Sequence, residues 1–327
     1  MAVASRVHKN GSLVKKDSAT KKIQQAEKRY TASIAPANRG FVDPGFAAAL
    51  RAVETAIGRP LWLLVQDDET EGPFAQFNEI GPRVADAFFN ARADLESGTS
   101  PVLLIHSSGG FGKDAYRIAR LFQKQCDGFT AIVPRRAKSA ATLLALGAQG
   151  IILGPYAELG PLDAQMVDYD REIRMSALDE VKALERLHAS SLEAVDQLVI
   201  ALIARTQKKL DTLLPVALNF VAETVKPLVE KIDTIHFTQM SRTLKEAEEY
   251  AKRLLYLNYQ KARADTIANQ LVETYPTHGF MIDFEEARRL GIKVSEPKDG
   301  LAEALNALIP HIRGTVIGRL EEVQDDD

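Results

Sequence analysis

Between Pro101 and Leu153 the chain alternates short apolar runs with polar breaks. Val102 to Ile105 is an apolar run that stops at Ser107-Ser108-Gly109-Gly110. Tyr116, Ile118, Ala119, Leu121 and Phe122 then recur at helical spacing. A second apolar run, Phe129 to Val133, ends at Pro134, and Ser139 opens a small-residue helix, Ala140 to Ala148. A third run, Ile151 to Leu153, closes at Gly154-Pro155. Strand, glycine turn, helix, strand, serine, helix, strand is a βαβαβ arrangement. Such units gather their ligand-binding loops at the carboxyl ends of the strands.

Outside this stretch the pattern predicts a helix over Phe46–Ile57 and a core strand over Leu61–Val65. An amphipathic helix follows over Ile80–Leu95. After Asp170 the period lengthens. Val181, Leu184, His188, Leu192, Val195, Val199 and Leu202 repeat at spacings of three and four, one face of a long helix. Leu210 to Val229 continues helical around Pro215 and Pro227. Met281-Ile282 reads as a short strand, and Asp283 as the N-cap of a helix ended by Gly291. Ala302 to Ile312 reads as a last helix. The organisation expected is a flexible arm over 1–40, a core over 41–170, a helical segment over 171–270, a return to the core over 271–312, and an acidic tail over 313–327.

Composition narrows the function. At 327 residues and 46% hydrophobic the chain can bury a large core. A net charge of −3 supplies no broad field for nucleic acid. The single cysteine, Cys126, excludes an intrachain disulfide and suits a reducing cytosol, so a cytoplasmic location is expected. No uninterrupted apolar run reaches the ~18–20 residues of a spanning helix, so no membrane span is expected. The first residues lack the apolar centre of a secretion signal. Their loose basic cluster, Lys15, Lys16, Lys21, Lys22 and Lys28, reads as a solvated tail or a docking arm. Asp67, Asp68 and Glu69 share one loop and point apart, so no metal is expected there, and no cofactor.

The candidate chemistry lies on two adjacent loops. Gly109 and Gly110 permit unusual dihedrals and close substrate approach, and N–H groups exposed at such a turn can hold an oxyanion. Ser139 can be a nucleophile or simply an N-cap. Ser107 to Lys113 lacks two residues of the phosphate-binding loop pattern. Gly110-x-Gly112-x-x-Ala115 matches a degenerate dinucleotide fingerprint, with Arg135-Arg136 after the next strand. A dinucleotide-binding protein is thus a weaker alternative.

The segments SSGG, KSAATLLALGA and ELGPLDAQ, in this order, resemble the ClpP/crotonase superfamily, and more narrowly the serine dehydrogenase proteinase family. Glu230–Leu255 and Tyr275–Val294 resemble that family too, so the resemblance runs over roughly 61–294. It implies an α/β fold with a repeated ββα core, to which the long helices are added. It implies a serine peptidase acting on peptides or proteins, working as a homo-oligomer. Ser139 would be the nucleophile, His278 the base, and Asp163 the acid orienting it. Gly109, Gly110 and Ala140 would supply the oxyanion hole. The family usually has glycine where Ala141 stands, which implies a tighter pocket here. Lys182 is an alternative base by analogy with Ser–Lys peptidases, and His106 a further one. A catalytically silent scaffold and a crotonase-like acyl-CoA enzyme are the remaining alternatives on the same fold.

Overall fold

The computed structural model describes residues 29–36, 41–67, 72–163, 165–168 and 173–323. The strands in chain order are β1 Tyr30–Ala32, β2 Ala35–Pro36, β3 Leu61–Val65, β4 Val102–His106, β5 Thr130–Val133, β6 Arg136–Ala137 and β7 Gly150–Leu153. They continue with β8 Glu158–Leu159, β9 Gln165–Asp168, β10 Ile173–Ser176, β11 Val294–Ser295, β12 Val316–Gly318 and β13 Leu320–Glu322. The helices are α1 Pro44–Ile57, α2 Pro82–Asn90, α3 Gly112–Gln125, α4 Ala140–Leu146 and α5 Ala177–Thr206. After them come α6 Leu210–Val229, α7 Thr234–Leu255, α8 Lys261–Glu273, α9 Phe284–Leu290 and α10 Asp299–Leu308.

One sheet organises the α/β fold, in the order β11-β7-β5-β4-β3-β12-β2. From β11 to β3 the strands are parallel, and β12 runs antiparallel to both β3 and β2. The βαβαβ unit read from the pattern is its centre: β4, α3, β5, α4, β7. Every residue of β3 and β4 is buried, as expected for parallel strands covered on both faces. Alternation still sorts their side chains. Trp62, Leu64, Leu103 and Ile105 join the core that holds α3 and α4. Leu61, Leu63, Val65, Val102 and Leu104 join a second core under α1 and α10. On the first face Phe122 meets Trp62 edge-on at 5.8 Å and Phe129 at 5.2 Å.

Local chemistry sets the helix ends. Asp43 accepts the Phe46 N–H at 2.9 Å and Gly58, at φ 64°, ends α1. Asp283 accepts the Glu286 N–H at 2.9 Å and Gly291, at φ 83°, ends α9, both as the sequence indicates. Pro215 and Pro227 lie inside α6 without ending it.

The chain ends differ from expectation. Residues 30–36, placed in an arm, supply β1 and β2; residues 316–322, placed in an acidic tail, supply β12 and β13. Asp67, read only as part of a solvated acidic loop, helps hold β12. Its carboxylate accepts the Gly314 N–H at 2.9 Å and its own N–H donates to the Thr315 hydroxyl at 3.2 Å. The basic cluster from Lys15 to Lys28 lies outside the described residues, as do Asp68 and Glu69. Among the described residues no group of His, Cys, Asp and Glu is arranged to hold a metal.

Three helices, α5, α6 and α7, form the added layer. The stripe from Val181 to Leu202 looks mainly inward: Val199 is buried, Leu184, Val195 and Leu202 half-buried, while Leu192 is exposed. Although the sequence shows no uninterrupted apolar run of spanning length, α5 and α6 are each long and apolar enough to cross a membrane by length and composition alone.

Candidate active site

Ser139 sits between β6 and α4 with φ 49° and ψ −116°. Serine rarely adopts a positive φ, and such strain collects at functional sites. The N-cap explanation fails, because the side chain makes no capping hydrogen bond to α4. Ser139 instead lines a cleft of about 330 Å³ between the Gly110–Lys113 turn, α4 and α7. Leu143, Leu162, Phe111 and Ala247 make its walls largely apolar, and Glu246 and Lys113 stand in it with opposite charge. The Tyr250 hydroxyl on the far wall is pushed up to about 12 by burial and by its bond to Glu246, so it remains a donor.

The glycine turn is pinned against the Ser139 loop. Ser107 donates its N–H to Arg136 O and accepts the Lys138 N–H on its carbonyl, both at 3.1 Å. Gly109 has φ 112° and Gly110 φ 138°. A Cβ on Gly109 would stand 2.7 Å from Lys138 O and 3.0 Å from Ser139 Cβ, so glycine is what lets the two loops touch. The Gly109 N–H is engaged, donating to the Ser107 hydroxyl at 3.0 Å. That hydroxyl donates to the Gln66 Oε1 atom at 2.6 Å, and the Gln66 amide donates to Phe77 O at 2.7 Å. Gly109 therefore enters the site as the turn, not as a donor. The N–H groups of Gly110 and Ala140 make no hydrogen bond among the described residues, and both residues line the cleft beside Ser139.

Gly110→Ala tests this packing. The added Cβ would overlap the backbone of Ile80, whose carbonyl already accepts the Phe111 N–H at 2.7 Å. Urea unfolding is expected to show a loss on the order of 3 kcal/mol or more, from clash and unfavourable φ together.

Asp163 and His278 meet on the next loops. The Asp163 carboxylate, 2% exposed, accepts the Leu178 N–H at 3.2 Å at the start of α5 and bonds the Ser176 hydroxyl. Its Oδ2 atom faces His278 Nδ1 at 3.9 Å, and both buried atoms lack any hydrogen-bond partner. That separation exceeds a hydrogen bond, yet such contacts in empty sites often tighten only when substrate binds. Leu162, next to Asp163, lines the cleft. Lys138, next to Ser139, pairs with Glu158 at 3.0 Å and donates to Phe280 O at 3.3 Å, tying the His278 loop to the Ser139 loop. Leu159 and Ile282 exchange backbone hydrogen bonds of 2.9 and 3.0 Å on the same seam, one bridge where a short strand is expected. No hydrogen bond joins Ser139 to His278.

Burial pushes the Asp163 carboxyl above its ordinary range, while Ser176, the Leu178 N–H and His278 pull it down. A raised folded-state pKa means the folded chain binds this proton more tightly than the unfolded chain. The resulting stability is complete below the unfolded pKa and is lost as pH rises through the folded one. Asp163→Asn should therefore gain stability relative to wild type on going from mild acid to neutral pH. Thermal melts across that range check the sign.

The rivals for the base are placed elsewhere. Lys182 lies on α5, about a third exposed and paired with Glu185 at 2.9 Å. His106 is buried at the end of β4. None of Lys182, His106, His278 and Asp163 lines the cleft itself; what sets His278 apart is that it faces the Asp163 carboxylate. Gln66 and Lys138 were not legible as site residues: glutamine after an apolar run and lysine before a serine carry no specific pattern.

With this geometry established, residues 95–238 match the family model of the ClpP-like SDH-type serine proteinases, the family the motifs resemble. Two curated proteins of Methanocaldococcus jannaschii are also similar. "Uncharacterized protein MJ0137" is 28% identical over 193 residues, covering 59% of this chain and 52% of that protein. "Uncharacterized protein MJ1495" is 26% identical over 194 residues, covering 59% and 51%. The chain thus spans about half the length of the curated relatives it matches.

Proposed function

We propose that the chain is a serine peptidase on a ClpP/crotonase-type fold, cleaving peptide bonds by acyl transfer. The small strands β6 and β8, paired beside the main sheet, support the repeated ββα reading of that fold. The observation that carries the function is Ser139: strained, released from capping, and set beside two uncommitted backbone N–H groups.

Ser139 Oγ attacks the peptide carbonyl while His278 takes its proton. Asp163, through the carboxylate oxygen facing Nδ1, holds the imidazole and stabilises it once charged. The Gly110 and Ala140 N–H groups hold the oxyanion, with Gly109 and the Gln66–Ser107 bonds fixing the turn. His278 then protonates the leaving amine, and water hydrolyses the acyl-enzyme by the reverse roles. The substrate is a peptide or protein segment, and the reaction needs no cofactor. The lack of a formed Ser139–His278 bond fits a site completed by substrate.

Hydrolysis of fluorogenic peptide amides by the purified chain tests this. Turnover is expected, and a chain inert to peptides that hydrates enoyl-CoA thioesters would replace the reading with the crotonase-like one.

A further inference from the structure

The hairpin of α5 and α6 carries apolar surface that its own fold does not cover. On α5 the outward residues Leu192, Ile200 and Ile203 are exposed, Ile200 to 68%. On α6, Leu213, Ala217 and Val221 are buried while both flanks stay open. Val216 and Phe220 form one flank, each 60% exposed, and Leu210, Leu214 and Leu218 the other. A helix pair that is apolar beyond its mutual contact is covered by something else.

The charges say what covers it. Glu193 and Asp196 lie seven and four residues before Ile200, and Lys208 and Lys209 lie eight and nine residues after it, all exposed. Along α5 and the turn after it the charge is thus acidic before the apolar centre and basic after it, where Arg205 adds to the lysines and Asp211 offsets one of them. Two copies crossing antiparallel at Ile200 would set the acids of each against the lysines of the other while the apolar flanks close on one another. This match is self-complementary, as a two-fold interface requires. Lipid would fit less well. Glu193 and Asp196 on α5 and Glu223 on α6 stand inside the helices, where hydrocarbon would enclose their charges at high cost.

We infer that a second copy of this chain covers the hairpin, the two α5–α6 pairs forming an antiparallel four-helix bundle. No residue of α5 or α6 lines the Ser139 cleft, and the interface does not depend on its chemistry.

Charge reversal on the full-length chain tests the arrangement by analytical sedimentation. Wild type is expected to be dimeric, or a larger even-numbered assembly, at micromolar concentration. The double variants Lys208→Glu/Lys209→Glu and Glu193→Lys/Asp196→Lys should each weaken self-association about tenfold or more, since like charges then face each other. Mixing the two variants in equal amounts should restore the complex, because in antiparallel pairing both contacts become attractive again. Ile200→Glu should dissociate wild type by burying a charge in the apolar centre. A wild-type chain that stays monomeric at tens of micromolar would overturn the inference. So would an assembly untouched by Ile200→Glu, or a mixture that fails to associate. Flotation of wild type with phosphatidylglycerol vesicles in place of self-association would overturn it in favour of a membrane surface.

Discussion

Ser139→Ala is expected to abolish peptide hydrolysis while leaving a folded chain. The hydroxyl makes no capping bond, so its removal takes away no helix cap, a contribution of ~1 kcal/mol where one exists. The strained φ of 49° belongs to the loop, and alanine feels it as serine does. The melting temperature should therefore barely move while turnover drops by about three orders of magnitude or more, the usual consequence of losing a nucleophile. Ser139→Gly separates the two contributions further. Glycine relaxes at positive φ and should raise stability by roughly 1 kcal/mol with activity equally lost. Steady-state hydrolysis and thermal melts on the same preparations read both effects.

His278→Ala should cost nearly as much as Ser139→Ala, because the members of a triad act as a unit. Lys182→Ala should leave turnover within about twofold of wild type, since a half-buried helix position outside the cleft changes little else. The contrast rests on placement. His278 Nδ1 faces the buried Asp163 carboxylate at 3.9 Å, and the His278 loop is tied to the Ser139 loop through Lys138. Lys182 is paired with Glu185 on the outside of α5. Full activity in His278→Ala together with a dead Lys182→Ala would replace the triad with a Ser–Lys pair.

What the sequence discloses here follows from how each feature is encoded. Apolar runs bounded by glycine and proline are local, so β3, β4, β5 and β7 and the helices between them can be read directly. Ser139 and the Gly109–Gly110 turn stand at the ends of those runs, where α/β folds place their sites. β12 and β2 are not legible in the same way. They are three and two residues long and owe their places to pairing with β3 and with each other across most of the chain. The Gln66–Ser107 bond escapes pattern reading for the same reason, since it joins residues 41 positions apart. Whether Ser139 was a cap or a free hydroxyl could not be settled by residue type, because serine suits both. The backbone dihedral and the missing cap bond separate them. The 181–202 stripe was legible as a helix face, but not the direction it turns, which depends on α6 and α7 packed beside it.

The central claim is that Ser139 is a nucleophile with an oxyanion hole beside it. Intact-mass analysis after treatment with a fluorophosphonate probe tests this most directly, followed by peptide mapping of the adduct. The account predicts one adduct per chain, located on Ser139, absent from Ser139→Ala and strongly slowed in His278→Ala. A wild-type chain that takes up no probe, or a Ser139→Ala chain labelled as fast as wild type, would contradict it.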